Sequence, residues 1–488
     1  MIAASGTGSG KTTVTLALLA ALKKRGLSPR AFKVGPDPLD SGLHVGLLTP
    51  VPSPLIPNPG RNLDGWLHGR DNCRAIAERG MAPVRDETTM VAVIEGVMGL
   101  FDGADPETES GSSAEMAKWL NLPVLLVLNA RGAGRTLAAI ARGLAAFDPA
   151  LRILGILCNN TGSPRHEEIL RRAFAASCPD IPLLGCLPRE DAIVLPSRHL
   201  GLHAAGEGAI TPELEDALRE WAERHIHMDA LLRAVGLPEE VPAAAGPATI
   251  PPVIPLRDDN TSPALPSPLP PETRPPLRLG VSCDEALFFL AEDNLYRLRE
   301  AGAELAFFSP LHDRDLPPGL DGLYLCGGYP ELHAEALSRN SGMLEAVRSF
   351  AASGRPLWAA GGGFLYLLES FTTRRMAGVF PGHASLEPGL QALGYREIQL
   401  TGSTLFGPPG TRLRANEFRY SRLPSFAEHC PAAFEARDRQ GRVIEPAGFT
   451  LPGNPDVLGT FLHIHLASNP GAAHAFTSRM AAKREKSQ

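Results

Sequence analysis

The sequence predicts an α/β protein made of two doubly wound, mostly parallel-sheet domains joined by a proline- and alanine-rich linker. Three observations predict it. Short apolar runs alternate with helical stretches over the first 235 residues. The same alternation resumes at Leu277, and between the two regions the composition shifts to Pro, Ala and Ser. Strands apolar on both faces that alternate with helices belong to parallel sheets covered by helices on both sides.

The elements follow in order. Strands are expected at Met1–Ala4, Arg30–Val34, Met90–Ile94, Pro123–Leu128, Ile153–Cys158 and Leu183–Cys186, with helices such as Lys11–Arg25 and Ser113–Leu120 between them. The first strand is short, which would suit a coding start a few residues further upstream. From about Val241 to Pro276 the chain reads "VPAAAGPATIPPVIPLRDDNTSPALPSPLPPETRPP", where prolines remove donors and favour extended backbone, so a linker is expected. Beyond it, "LRLGVSCD", "ELAFFSP", "GLYLCGG" and "PLWAAGG" are the strands of the second region. The domains are therefore expected at 1–240 and 277–475, with the linker at 241–276 and a basic tail at 476–488. There is no internal repeat.

Bulk properties bound the function. At 488 residues the chain is too long for one core. A formal charge of −6 and a pI near 6.2 give no reason to expect nucleic acid or a membrane surface as partner. The seven cysteines (73, 158, 178, 186, 283, 326 and 430) form no CxxC pair, so they read as reduced thiols. The sequence has no apolar run of about 18 residues and no basic segment ahead of an apolar core at its start, so a soluble cytoplasmic protein is expected.

The first chemical motif is "ASGTGSGKTT", Ala4 to Thr13, between a strand and a helix. Amides of a glycine-rich turn at a helix start cradle phosphates. Gly8, Ser9, Gly10, Lys11, Thr12 and Thr13 would bind ATP, with Lys11 on the outer phosphates and the Thr12 hydroxyl on Mg²⁺. The match is to the compact GxGKT form; the longer GxxxxGK[ST] pattern would need glycine where Ser5 stands. After the second strand, "FKVGPDPLDSGLH" supplies Lys33, Asp37, Asp40 and His44. After the next strand, "VIEGVMGLFDG" supplies Glu95, with Asp102 beyond. Ligands of doubly wound sheets sit at the carboxyl ends of strands, and converging carboxylates suit Mg²⁺. Thr12, Asp37 and Glu95 are the expected metal ligands; Lys11, Lys33, Asp37 and Asp40 the expected catalytic groups. His44 and His166 are each equally compatible with a structural and a functional role.

The second motif is an oddity. "RPLWAAGGGFLYL", Arg355 to Leu367, reads as a buried strand running into a tight turn and a helix. Such an elbow often presents a nucleophile, yet here it holds Gly361, Gly362 and Gly363.

These stretches resemble the cobyrinic acid a,c-diamide synthases over nearly the whole chain. Further marks are "RNLDGW", "GSPRH", "PSRHLGL", "CDEALFFLAEDNL", "FFSPL", "GGYPELHAEALSRN", "GYRE", "NEFRYS" and "LHIHLASNP". The resemblance implies an N-terminal domain similar to dethiobiotin synthetase that uses ATP and Mg²⁺ to phosphorylate carboxylates of a tetrapyrrole, cobyrinic acid or a relative such as hydrogenobyrinic acid. It also implies a C-terminal class I glutamine amidotransferase-like domain that releases ammonia from glutamine. In that family the elbow typically reads Ala-Glu-Cys-Gly-Gly, the Cys being the glutaminase nucleophile. Gly361 stands at the Cys position and Ala360 at the Glu position, while His463 matches the activating histidine and His465 is the lesser candidate. A second family stretch, typically Gly-His-Glu-Phe-His-Tyr-Ser, reads Ala415 to Ser421 with Asn416 and Arg419 in place of both histidines. Three readings stay open. The synthetase half runs on ammonia, free or from a separate ammonia-supplying subunit; Cys326, at a family glycine position, takes over as nucleophile; or the protein has another substrate or donor, or serves as a P-loop regulatory or scaffold protein.

Overall fold

A computed structural model describes residues 1–48, 60–82, 89–193, 195, 210–239, 276–423 and 430–487. The expected linker, apart from Pro276, and the "PSRHLGL" stretch lie outside the described residues.

The N-terminal elements are β1 (Ile2–Ala4), α1 (Lys11–Lys24), β2 (Ser28–Val34), α2 (Pro38–Leu48), β3 (Asn62–Leu63), α3 (Gly65–Gly80), β4 (Met90–Glu95), α4 (Ser113–Trp119), β5 (Val124–Asn129), α5 (Thr136–Phe147), β6 (Ile153–Thr161), α6 (Pro164–Ser177), β7 (Leu183–Pro188), α7 (Pro212–His225) and α8 (Met228–Ala234). All seven strands run parallel, in the order β3-β2-β4-β1-β5-β6-β7. The expected strands are all present. β5 shows why: "VLLVL" is buried on both faces, as a central parallel strand must be. Helix starts follow local chemistry. Asp64, Ser163 and Thr211 each accept a backbone N–H three residues on, and Pro164 and Pro212 occupy the first helical positions after Ser163 and Thr211. β1 lies at the centre, between β4 and β5, so the loop leaving it opens where the strand order reverses.

The C-terminal elements are β8 (Leu277–Ser282), β9 (Leu287–Phe289), α9 (Glu292–Glu300), β10 (Ala303–Phe308), β11 (Gly322–Leu325), β12 (Gly327–Gly328), α10 (Ala334–Arg339), α11 (Ser341–Ala352), β13 (Leu357–Ala360) and α12 (Gly362–Leu367). They continue as β14 (Ser370–Phe371), β15 (Arg374–Arg375), β16 (His383–Leu386), β17 (Ala392–Leu400), β18 (Arg412–Arg419), β19 (Ser421–Arg422), β20 (Phe434–Arg437), β21 (Gly448–Leu451), β22 (Asn454–Thr460), β23 (His463–His465) and α13 (Gly471–Ser487). The main sheet, β10-β8-β11-β13-β22-β21, is parallel except for β21. Trp358 of β13 stacks on Tyr324 of β11 at 4.0 Å, in a core that also holds Phe364 and Phe406. A second, antiparallel sheet, β20-β17-β18-β23, was not anticipated. Its alternating burial, as in β18, marks a sheet covered on one face.

One expectation is corrected. Residues from 476 onward are not a separate tail: they form the body of α13, with Phe476 and Met480 fully buried against the second domain. The basic residues that suggested a tail lie on the polar side of this helix, where Arg484 pairs with Asp321 and Lys483 with Asp456. Among the described residues, no helix is long and apolar enough to cross a membrane.

The two domains meet through α3. Arg79 pairs with Asp293 at 2.7 Å and covers the Tyr296 ring, Arg297 donates to Asn72 at 2.6 Å, and Arg414 donates to the Trp66 carbonyl at 2.6 Å.

Candidate functional sites

The turn between β1 and α1 has the glycine-rich, left-handed backbone that a phosphate cradle needs. Gly8 and Gly10 have φ of 77° and 95°, and Ser9 Oγ donates to the Gly6 carbonyl at 2.9 Å. Asn159, at the end of β6, donates to the Ser9 carbonyl at 2.9 Å and lies so close that a Cβ on Gly10 would be 2.0 Å from its Nδ2. Gly10→Ala should therefore strain the loop twice over, by its φ and by this contact. The expected loss is about 1–3 kcal/mol of stability together with weakened nucleotide binding; thermal melts with and without Mg-ATP measure both.

Lys11 is the first residue of α1 and is 8% exposed. Its ammonium donates to the carbonyls of Gly6 and Met98. Burial and the nearby Lys33 ammonium lower its pKa, against the pull of Glu95, Asp40 and Asp102. Met98 has φ of 45°, a left-handed conformation rare for a long side chain, so the loop after β4 is strained where it faces the cradle.

Glu95 is the hub of the second cluster. It ends β4, fully buried, and takes hydrogen bonds from Thr12 Oγ1 (2.7 Å) and Lys33 Nζ (2.9 Å) on one oxygen and from His44 Nε2 (2.7 Å) on the other. Burial alone would raise its pKa, but Lys33 and His44 outweigh this and hold it at about 2. Lys33 also pairs with Asp40 at 2.8 Å, and although burial opposes its charge, Glu95 and Asp40 raise its pKa. The structure thus brings Thr12, Lys33, Asp40, His44 and Glu95 into one connected network. Asp37 sits on the same loop but is employed differently: its Oδ1 accepts the amides of Leu39 (2.8 Å) and Asp40 (3.4 Å) at the start of α2. Burial and the neighbouring Asp40 raise its pKa. Asp102 accepts the Gly99 amide within its own turn. His166 ties loops together, accepting from the Gly162 amide and meeting the Ala133 carbonyl at 2.7 Å.

Thr12 Oγ1 and Glu95 Oε1 form a hard-oxygen pair of the kind Mg²⁺ takes. Among the described residues, no three His, Cys, Asp or Glu side chains converge as a metal cage. The donors present fit a cation that completes its shell with phosphate and water oxygens.

In the second domain, Gly361 joins β13 to α12 with φ 50° and ψ −114°. Its N–H donates to the Thr460 carbonyl at 2.8 Å, and its carbonyl starts the helix. A Cβ here would lie 2.8 Å from Cε1 and 3.0 Å from Nε2 of His463, so the imidazole fills the space that a side chain at the elbow would need. Burial lowers the His463 pKa to about 4. Gly361 and His463 line a cleft of about 420 Å³, partly open to solvent, with Phe289, Tyr329, Glu331 and Arg419. Arg419 is held by Glu417 (2.8 Å) and lies over Phe461, while Arg396 binds the same Glu417 at 2.9 Å. Cys326 is absent from the cleft lining. It is fully buried, its thiol bonded to Ser282 at 3.4 Å, and burial raises its pKa well above the usual range. A fully buried thiol outside the cleft lining is poorly placed to attack a substrate held there, which weighs against the reading in which Cys326 takes over.

Residues 1–202 match the CobQ/CobB/MinD/ParA nucleotide binding domain, and residues 278–471 match the CobB/CobQ-like glutamine amidotransferase domain. The cobyrinate a,c-diamide synthase of Syntrophotalea carbinolica is 40% identical over 98% of this chain and 97% of its own length. The chain belongs to the cobyrinate a,c-diamide synthase family. The enzyme of the same name from Leptospira interrogans serogroup Icterohaemorrhagiae serovar copenhageni is 36% identical over 98% of this chain and 97% of its own. The hydrogenobyrinate a,c-diamide synthase of Streptomyces coelicolor is also 36% identical, over 98% of this chain and 96% of its own.

Sequence reasoning missed several residues of these sites. Asn159 follows an apolar strand, and nothing in its neighbourhood marks it as the buttress of a loop 150 positions earlier. The partnership of His68 with His465, at 3.1 Å across the domain boundary, was equally invisible. His465 faces that interface, and His463 alone faces the elbow. The marks "RNLDGW", "GYRE" and "LHIHLASNP" meet at this one interface, where Tyr395 Oη donates to Asp64 at 2.7 Å.

Proposed function

We propose that this protein amidates the a and c acetate carboxylates of cobyrinic acid, or of a close tetrapyrrole such as hydrogenobyrinic acid, in cobalamin biosynthesis, using ATP and taking its nitrogen directly from ammonia. The observation that carries this reading is the contrast between the two sites. The Thr12–Lys33–Asp40–Glu95 network is connected and lies near the Lys11 ammonium, whereas the elbow holds a glycine with His463 seated against it.

A carboxylate is a poor electrophile. In the proposed reaction its oxygen attacks the γ-phosphorus of ATP, the bond to the bridging oxygen breaks, and ADP leaves. Nitrogen of ammonia then attacks the carbonyl carbon of the acyl phosphate, phosphate departs, and a proton is lost from nitrogen to leave the amide. Lys11, released from its carbonyl partners, stabilises charge on the transferring group together with the loop amides. Lys33, kept charged by Glu95 and Asp40, supplies a second fixed cation at the reacting carboxylate. Thr12 and Glu95, with Asp37 from the loop after β2, would hold Mg²⁺, which would supply positive charge against that of the phosphates. Ammonia needs no thiolate, because the acyl phosphate is already electrophilic.

The test is ATP-dependent amidation of cobyrinic acid with either ammonium or glutamine as donor. Amide formation with stoichiometric ADP release on ammonium, and little or none on glutamine, is the expected result. Equal rates on both would remove the ammonia reading. ATP turnover without amide on either donor would favour a regulatory P-loop protein.

A further inference from the structure

We propose that the C-terminal domain acts in the synthetase reaction through two positioning residues, Tyr395 and His465, which hold the acid loop of the N-terminal domain in place. This rests on the reading that Lys33, Asp40 and Glu95 serve phosphoryl and acyl transfer. The chain of contacts starts at Tyr395 on β17, whose hydroxyl donates to Asp64 Oδ2 at 2.7 Å. Asp64 is 1% exposed, caps α3 through its other oxygen, and directly follows β3. Its desolvated carboxylate depends on these few donors, since an unpaired buried charge is costly.

β3 is only two residues long and forms the edge of the sheet beside β2, the strand that carries Lys33. An edge strand this short has little hold of its own. What it secures is the catalytic loop: Asn62 Nδ2 donates to the carbonyls of Gly35 and Asp37, both at 2.8 Å, and the Lys33 and Gly35 amides donate to Arg61 and Leu63. The backbone from Lys33 to Asp37 thus hangs on β3, and β3 is anchored through Asp64 to the other domain.

The histidine pair reinforces the anchor. His68 Nδ1 faces the Asp64 amide at 3.4 Å and accepts from it, so its proton resides on Nε2 and is donated to His465 Nδ1 at 3.1 Å. The remaining His465 proton, on Nε2, is donated to Asn416 Oδ1 at 3.0 Å. One tautomer of each ring satisfies every member of this buried chain. Burial lowers the pKa of both rings, with Asp64, Asp293, Arg297, Arg79 and His463 as the other charged or titratable groups acting on them.

A positioning role differs from plain domain adhesion, and a control separates them. Tyr395→Phe removes one hydroxyl and keeps the ring on Trp66, while Tyr296→Ala removes the ring under Arg79 and so weakens the domain contact without changing any charge near the histidine pair. With ammonium as donor, Tyr395→Phe should lower kcat for ADP release about tenfold with KM for ammonium unchanged, as expected of a displaced reacting group. Tyr296→Ala should lower the melting temperature but leave kcat within about twofold. Asp64→Asn combined with Tyr395→Phe should be no worse than the more damaging single change, because both break one link. Calorimetric Mg-ATP binding to the same full-length variants, expected to weaken about threefold in Tyr395→Phe, requires no turnover. Wild-type protein that binds Mg-ATP but does not turn over on ammonium would defeat the ammonia reading and leave this binding arm to decide the present one. Unchanged kcat and Mg-ATP affinity in Tyr395→Phe, additive losses in the double variant, or an equal kcat loss in Tyr296→Ala would each overturn it.

Discussion

Lys11→Ala is expected to abolish ATP turnover. The ammonium is held beside the phosphate cradle by the Gly6 and Met98 carbonyls, contacts that a γ-phosphate would replace with a charged partner. Its pKa is lowered by burial and by Lys33, so part of its desolvation penalty is already present before nucleotide arrives. Removing a cation aimed at the transferring group in a site this enclosed should cost on the order of 3 kcal/mol or more in the transition state, about a hundredfold or greater loss of kcat. Lys11 is not part of the hydrophobic core, so the melting temperature should change little. The measurement is corrin- and ammonium-dependent ADP release alongside a thermal melt. Near-normal release from a well-folded variant would remove the loop from the chemistry.

The second large effect is an absence of glutaminase activity. Wild-type protein should release no more glutamate from glutamine than a heat-killed control, and Cys326→Ser should leave this unchanged, because the Cys326 thiol faces Ser282 and not the cleft. Gly361→Cys should restore little. A Cβ at that position meets the His463 ring at 2.8 Å, so the ring must be displaced before it could activate a thiol. Arg419 and Asn416, where the family pattern has histidines, are engaged with Glu417 and His465. A nucleophile added without its supporting shell is poorly preorganised. Robust glutamate release by the wild type would show that the cleft holds a nucleophile other than these residues; release abolished by Cys326→Ser would identify it as Cys326.

Much of this protein was legible in one dimension. The parallel strands of both domains are local: runs such as "VLLVL" and "PLWAA" are apolar on both faces and end in turns that the following helix requires. The cradle is local too, since Gly8, Gly10, Lys11 and Thr12 are consecutive or nearly so. The acids were readable as strand-end residues, because the carboxyl ends of parallel strands gather on one side of the sheet whatever the details of packing. Charge density at those ends is a property of the chain order, and Gly361 is a letter in the sequence.

The tertiary structure decided what these residues do to one another. Asp37 and Asp40 look alike in "GPDPLD", but Asp37 caps the helix that starts beside it, while Asp40 reaches Lys33. Cys326 and Gly361 border the same turn region, and only packing shows that one thiol points inward and that His463 occupies the space at the other. Residues 476–487 looked like a basic tail because their charges are prominent, whereas two buried side chains, Phe476 and Met480, make them part of the core. The anchor from Tyr395 to Asp64 spans 331 positions and joins separate domains. Periodicity and propensity act over a few residues, so a contact between distant segments is fixed only when both domains have folded and closed on each other.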